Sequence, residues 1–301
     1  MAEFDVVALA LVPAVLWGFS PVLSKRGMAA GGSPLQASLV VVVVDSAVYW
    51  IAMLATGGID FTGVTLWALS VFAVAGIIGT AVGRIAVFVG VHRVGASVNS
   101  AGISTRPVFA TLIAFVWLGE PVGAQTALGI VVLVAGLVTL AISRGGDLSG
   151  WSPWELVFPV AAALAFGVGN VMRRFGLTTT DATVLQGVAI NETAALVVLA
   201  AYVLARDREA LTEVPRVTYR YFAGSGLITA FALLALFAAF DRGPVAVVDP
   251  IAATAPLFTT FFAFFLLRDV ERITRGIVIG AGLIVVGGGM IVGGDLLGPV
   301  I

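Results

Sequence analysis

Apolar runs of about 20 residues, each closed by a short polar break, recur along almost the whole chain. As helices they are long enough to cross ~30 Å of hydrocarbon. The pattern predicts spans at 6–26, 35–55, 66–90, 97–117 and 124–143. A second set follows at 155–175, 183–205, 220–240, 246–267 and 275–293. Lipid offers a backbone no hydrogen-bond partner but itself, so all ten are expected to be α-helices. Between the sets lies SRGGDLSGWSPWE, a polar linker carrying a capping-box pattern from Ser152 to Glu155. The expected division is a first five-helix repeat at 1–146, a linker at 147–154 and a second five-helix repeat at 155–301.

The two sets are copies. With an offset of 149, WGFSPVLSKRG (17–27) lies over FGVGNVMRRFG (166–176), and HRVGASV (92–98) over DRGPVAV (241–247). The same offset places TRPVFATLIAF (105–115) over TAPLFTTFFAF (254–264). After a two-residue insertion the match resumes, with Glu120 over Glu271, Gly129 over Gly280 and Gly136 over Gly287. Five is an odd number, so the second copy enters the membrane from the opposite side. The fold expected is an all-α integral membrane protein of ten transmembrane helices, arranged as two inverted five-helix repeats. Such inverted pairs are typical of secondary transporters, with the site near the midplane between the halves.

Composition agrees with a membrane protein and removes several functions. Of 301 residues 60% are hydrophobic and 11% charged, against roughly 25% charge in a soluble domain. Mean hydropathy is +1.10. Sixteen basic against seventeen acidic residues leave no polybasic surface, so nucleic acid is not an expected partner. With no cysteine and one histidine there are no disulfides, no thiolate metal sites and too few groups for an intramembrane enzyme. No cofactor or metal is expected. The start MAEFD is acidic where a signal peptide would be basic, so the first span is expected to be retained. Basic residues in short loops set orientation. Eleven lie in the loops after odd-numbered spans and three, Arg173, Arg174 and Arg242, in the loops after even ones. That count puts the odd-numbered loops in the cytoplasm of a multi-pass cell-membrane protein, with both termini outside.

The motifs resemble a known family. WGFSPVLSK in the first span, LGEP (118–121) followed by a Gly-rich helix, and their echoes FGVGNV and LRDVERITRGIVIG are similar to the drug/metabolite transporter superfamily, in particular its EamA-like ten-helix transporters. The resemblance implies export or exchange of small metabolites, often amino acids or related compounds, through a central cavity. It also implies cytoplasmic termini, opposite to the charge count.

Four ionisable residues fall at membrane depth: Asp45, Arg84, Arg106 and Glu192. Each costs roughly 2.5–3.5 kcal/mol there and usually faces a cavity or a partner. Helical rise puts Arg84 and Arg106 about 13 Å from one surface and Asp45 about 15 Å from it, with Glu192 near the middle. Two arginines and two acids sum to zero, which leaves two readings open. They form a structural ion-pair network pinning helices two, three, four and seven. Alternatively an arginine faces the cavity and takes a substrate carboxylate or phosphate through its planar fork, while an acid takes an amine or exchanges a proton. The positions matching Arg84 and Arg106 are Leu233 and Ala255, so the scaffold itself does not require arginine there.

Trp17, matched by Phe166, is expected at the cavity wall, as is Asn170, matched by Pro21. Pro21 and Asn170 are expected to interrupt their helices. The candidate substrate-binding set is Trp17, Asp45, Arg84, Arg106, Asn170 and Glu192. Pro107 and Pro256 are expected to kink helices and act as hinges, with Thr105 and Thr254 bonding the freed backbone. His92 and Asp249 are expected at the surface and the interface. GGGMIVGG (287–294) and AVAGIIG (73–79) are expected to allow close helix contact.

Together these features predict a secondary active transporter, an exporter or exchanger of small polar metabolites such as amino acids or organic anions, working by alternating access. The alternative is a passive channel or a membrane scaffold. Expected partners are a small-molecule substrate, a proton as candidate coupling ion, and membrane lipid. A monomer suffices for a pathway, and a dimer is possible.

Overall fold

The computed structural model describes residues 2–57, 59–113, 123–143, 145–206, 215–243 and 245–296. The first half runs α1 (Ala2–Ala29), α2 (Pro34–Ala55), α3 (Leu66–Ala75), a π-helical turn (Gly76–Val82), α4 (Gly83–Val94), α5 (Ala96–Ile103), α6 (Arg106–Ile113) and α7 (Ala124–Ile142). The second runs α8 (Val157–Thr179), α9 (Val184–Arg206), α10 (Arg216–Arg242), α11 (Val245–Ala252), α12 (Ala255–Leu266) and α13 (Arg275–Leu296). Strand β1 (Gly146–Asp147) pairs antiparallel with β2 (Glu271–Arg272). Among the described residues six helical stretches are long and apolar enough to cross a membrane, and three shorter apolar helices accompany them.

The repeat is visible in the caps. Ser33 and Gln36 exchange hydrogen bonds at the start of α2, N–H to side chain at 2.7 and 3.2 Å. Thr183 and Gln186 do the same at the start of α9, at 2.8 and 3.2 Å. SPLQ and TVLQ are thus the same reciprocal box, each satisfying two orphan N–H groups. Packing is reciprocal as well. α1 lies against α10, and α8 against α3 and the π-helical turn; α1 meets α12, and α8 meets α6. At α7 and α13, a Cβ on Gly136 would stand 2.9 Å from the Gly280 carbonyl oxygen, and one on Gly287 2.7 Å from that of Gly129. These two contacts exchange under the repeat, as a twofold relation requires. The glycine-rich runs therefore do allow close contact. Most directly, Ser104 Oγ donates to the carbonyl of Ala253, its own repeat mate, at 2.8 Å. The twofold passes between them.

The prolines behave differently from the expected kinks. The fourth and ninth expected spans are broken outright, α5 from α6 and α11 from α12. Pro107 is the second residue of α6, and Pro256 stands in the first turn of α12. A first-turn proline gives up an N–H that has no helical partner anyway, so it starts a helix rather than bending one. The turns between are matched: Thr105 N bonds Gly102 O at 3.2 Å, and Thr254 N bonds Ile251 O at 3.1 Å. Their hydroxyls reinforce the same carbonyls at 2.8 and 2.7 Å, so both threonines do satisfy freed backbone. Residues 114–117 of the fourth expected span, and LGEP after them, lie outside the described residues. Pro21 and Asn170 interrupt nothing, since α1 and α8 run through them. Pro21 nevertheless has no N–H to give the carbonyl of Trp17, four residues back.

The two halves differ in the third span. Leu66–Val94 has 29 residues and contains the π-helical turn, whereas Arg216–Arg242 is a continuous 27-residue α-helix. π-turns often mark functional positions. This one presses Gly76 against α9, where any Cβ would overlap the Asn191 carbonyl. Gly76→Ala is therefore expected to lower stability by about 2–3 kcal/mol, the scale of an overpacked core site. Thermal unfolding in detergent checks it.

One end of the bundle is tied through the linker. Lys25 Nζ donates to the last-turn carbonyls of α4, Val91 and His92, at 3.1 and 3.2 Å, and pairs with Asp147. Beside it Glu271 caps α5, accepting from the N–H groups of Ala96 and Ser97 and from Ser97 Oγ. Burial alone would raise the Asp147 carboxyl, but hydrogen bonds from Lys25 and Ser149 outweigh it and hold the group below its ordinary value. A lowered acid adds stability above its unfolded pKa and loses it as pH falls through the folded one. Asp147→Asn is accordingly expected to flatten the loss of thermal stability below about pH 4, measured as Tm against pH. Glu155 makes the expected return bond to Ser152 N–H at 2.8 Å, opening the turn into α8. His92 is exposed, as expected.

Candidate functional site

Six charged side chains meet at the centre of the bundle, each from a different helix. α2 supplies Asp45, α4 Arg84, α6 Arg106, α8 Arg173, α9 Glu192 and α11 Asp249, all buried. The broken helices matter here. The α5–α6 break puts Arg106 in a first helical turn beside the twofold, and α11 ends three residues after Asp249.

Arg84 pairs with Asp45, and its NH1 lies 3.6 Å from Glu192 Oε2. Arg106 NH1 lies 3.5 Å from Asp249 Oδ1. Arg173 spends its fork on neutral groups, donating to Asn191 Oδ1 (3.1 Å), Asn170 Oδ1 (2.8 Å) and Thr80 Oγ1 (3.0 Å). The Thr80 hydroxyl donates to Glu192 Oε1 at 2.8 Å and also accepts from Asn191 Nδ2 at 2.7 Å. One hydroxyl proton and two lone pairs are then all used. Asn170 Nδ2 closes the chain on Asp249 Oδ1 at 2.8 Å. Among the described residues three guanidiniums and three carboxylates sum to zero, which is how six charges persist in the interior.

The network is not fully satisfied. Asp45 Oδ1, Glu192 Oε2 and Arg106 Nε are buried without a hydrogen-bond partner. Leaving such an atom orphaned costs about 1–3 kcal/mol, more for a charge.

A cavity of about 110 Å3 opens against this network. Both members of several repeat pairs line it: Trp17 and Phe166, Pro21 and Asn170, Thr80 and Thr229, Arg84 and Leu233, Arg106 and Ala255. Arg173 corresponds to Ser24, which sits in a hydroxyl cluster where Ser20, Ser24 and Thr229 lie 2.7–2.9 Å from their partners and Ser225 is shared. Arg84 and Arg106 come from the first half and Arg173 from the second, and the hydroxyl cluster likewise draws on both. All three arginines line the cavity; among the described residues no carboxylate does.

Of the expected site residues, Trp17, Arg84, Arg106 and Asn170 lie on the cavity wall, whereas Asp45 and Glu192 sit behind it. Those two acids hold Arg84 rather than face the space. Arg173 and Asp249 were expected near the membrane surfaces, and both belong to the central network. α8 runs to Thr179, past the expected end at 175, which carries Arg173 two turns inside. The i, i+3 spacing of Asn170 and Arg173 was the available signal. Thr80 and Asn191 left no signal beyond their polarity.

An all-helical membrane protein of two repeated halves, with a charged, solvent-sized cavity where they meet, belongs to the class of multi-pass membrane transporters. The sequence pattern of the EamA-like transporter family matches residues 6–142 and again 153–293, and the chain belongs to that family. A solved structure described only as "Crystal structure of protein" is similar, with a TM-score of 0.67 at 17% identity, covering 98% of this chain and 99% of that one. At that identity the likeness concerns the fold. No curated protein matches the chain.

Proposed function

We propose that this protein is a secondary active transporter that exports or exchanges small polar metabolites, amino acids or organic anions, by alternating access at the central cavity. In this reading the chain forms ten spans as two inverted five-helix repeats, α5–α6 and α11–α12 each making one broken span. The supporting observation is the cavity at the repeat interface with Arg84, Arg106 and Arg173 turned into it. Broken helices beside a midplane site are the usual construction of such carriers.

Each end of the bundle holds an apolar cluster. The one containing Phe72 and Phe237, whose rings are 6.3 Å apart, packs near the loops at 59–65 and 180–183. Phe88, the repeat mate of Phe237, belongs to the cluster with Val91 and Phe222 and also lines the cavity. Two alternative packings of one duplicated architecture are what alternating access needs.

A second reading, a passive channel or scaffold, draws on the ion pairs of Arg84 and Arg106. Purified protein in liposomes, screened against labelled amino acids, organic anions and sugars with and without a pH gradient, separates the two. A carrier is expected to saturate and to show counterflow of labelled against unlabelled solute. Flux without counterflow, or none for any solute, removes the carrier reading.

A further inference from the structure

The direction in which each charge points narrows what the cavity accepts, granting the transport reading above. The polar groups at its wall are guanidiniums, an amide and hydroxyls, while Asp45, Glu192 and Asp249 are turned away behind them. Arg106 has the loosest attachment of the three arginines. Its carboxylate contact is 3.5 Å long and its Nε bonds nothing. A small molecule entering here meets these donors and, on the same wall, the aromatic side chains of Trp17 and Phe166. That is a site for an anion with an apolar or aromatic body.

The charge balance then dictates a companion. The empty network is neutral, so an anion alone would leave one negative charge in the membrane interior. Asp45 Oδ2 pairs with NH1 of Arg84, and Glu192 Oε2 lies 3.6 Å from the same nitrogen, beyond hydrogen-bond reach, so that Asp45 Oδ1 and Glu192 Oε2 each accept no hydrogen bond. An anion that recruits Arg84 weakens the one cation these two carboxylates share. The remaining groups facing them are already committed: Tyr49 donates to Ala230 O, Thr80 and Asn191 to Glu192 Oε1, and Arg173 to Asn170, Asn191 and Thr80. We infer that the cavity binds a small organic anion together with a proton, which is taken from water and held as a new O–H bond on one of the two donorless oxygens of Asp45 and Glu192. Loading is electroneutral, and the anion moves with its proton.

The test uses the purified full chain in weakly buffered detergent. The probe is benzenesulfonate, which stays ionised, so any proton taken up on binding is the protein's. 2-Phenylethylammonium and phenylalanine serve as cationic and zwitterionic counterparts. Benzenesulfonate is expected to quench tryptophan fluorescence about tenfold or more tighter than the ammonium, the scale of a charge-assisted contact. A proton should disappear from solution per anion bound. Glu192→Gln should lower protons taken up per bound anion several-fold, a ratio that does not depend on how tightly the variant binds; if that variant fails to fold, the wild-type ratio decides. Binding without proton uptake, preference for either counterpart, or no binding of benzenesulfonate overturns the inference. None of these touches the carrier reading, which stands or falls on counterflow in liposomes.

Discussion

Arg106→Ala is expected to abolish transport of anionic solutes while the protein still folds. The guanidinium lines the cavity, and its only ion-pair contact among the described residues, 3.5 Å to Asp249, is longer than a good hydrogen bond. Asp249 is not abandoned by the change, because Asn170 Nδ2 keeps its 2.8 Å bond to Oδ1. The repeat mate at this position is Ala255, in the first turn of α12, so the local backbone accommodates alanine. Asp249 nevertheless loses a buried counter-ion, so the loss in stability is expected near the lower end of the about 3–5 kcal/mol that breaking a buried pair costs, this contact being the longer one. Loss of a hydrogen bond to a charged ligand is worth up to about 3 kcal/mol, or roughly a hundredfold in affinity. Counterflow in liposomes, beside a thermal unfolding curve of the same preparation, measures both. A variant that fails to fold would mean that Arg106 serves the scaffold.

Duplication made much of the fold legible before any coordinates. A run of apolar residues predicts a helix because lipid permits little else, and a matched register predicts a twofold because equal sequences pack equally. The joints were harder. TRPVF and TAPLF each carry a proline, and composition alone does not tell a mid-helix kink from a first-turn proline after a break. The difference lies in Ser104 and its neighbours, whose bonds run across to Ala253 on the other half. At the site, sequence depth found Asp45, Arg84, Arg106 and Glu192, because each interrupts a long apolar run. It missed Arg173 and Asp249 for a single reason. Both lie near the polar end of a run, where a residue reaching water and one buried by a helix longer than its apolar core look alike. The π-helical turn, set by Gly76 against the Asn191 carbonyl, had no signature beyond the glycines themselves.

Arg84→Ala should behave in the opposite way to Arg106→Ala, losing the fold before the function can be measured. Arg84 is held between two carboxylates, Asp45 and Glu192, both fully buried. Removing it strands two buried negative charges, and breaking one buried pair already costs about 3–5 kcal/mol. Its repeat mate Leu233 shows that the helix tolerates an apolar residue here, but the comparison ends there. Leu233 packs in the apolar cluster with Phe72 and Phe237, with no acid to neutralise. The cost therefore comes from the stranded acids rather than from the missing side chain, and it should be reversible in a second site. Adding Asp45→Asn to Arg84→Ala, which removes one of the two charges and its repulsion of the other, is expected to restore half or more of the lost stability. Thermal unfolding of the wild type, the single variants and the double variant gives the coupling directly. If Arg84→Ala alone unfolds near the wild-type temperature, the three-way pair is not what holds α2, α4 and α9 together, and the central charges are free to serve the cavity alone.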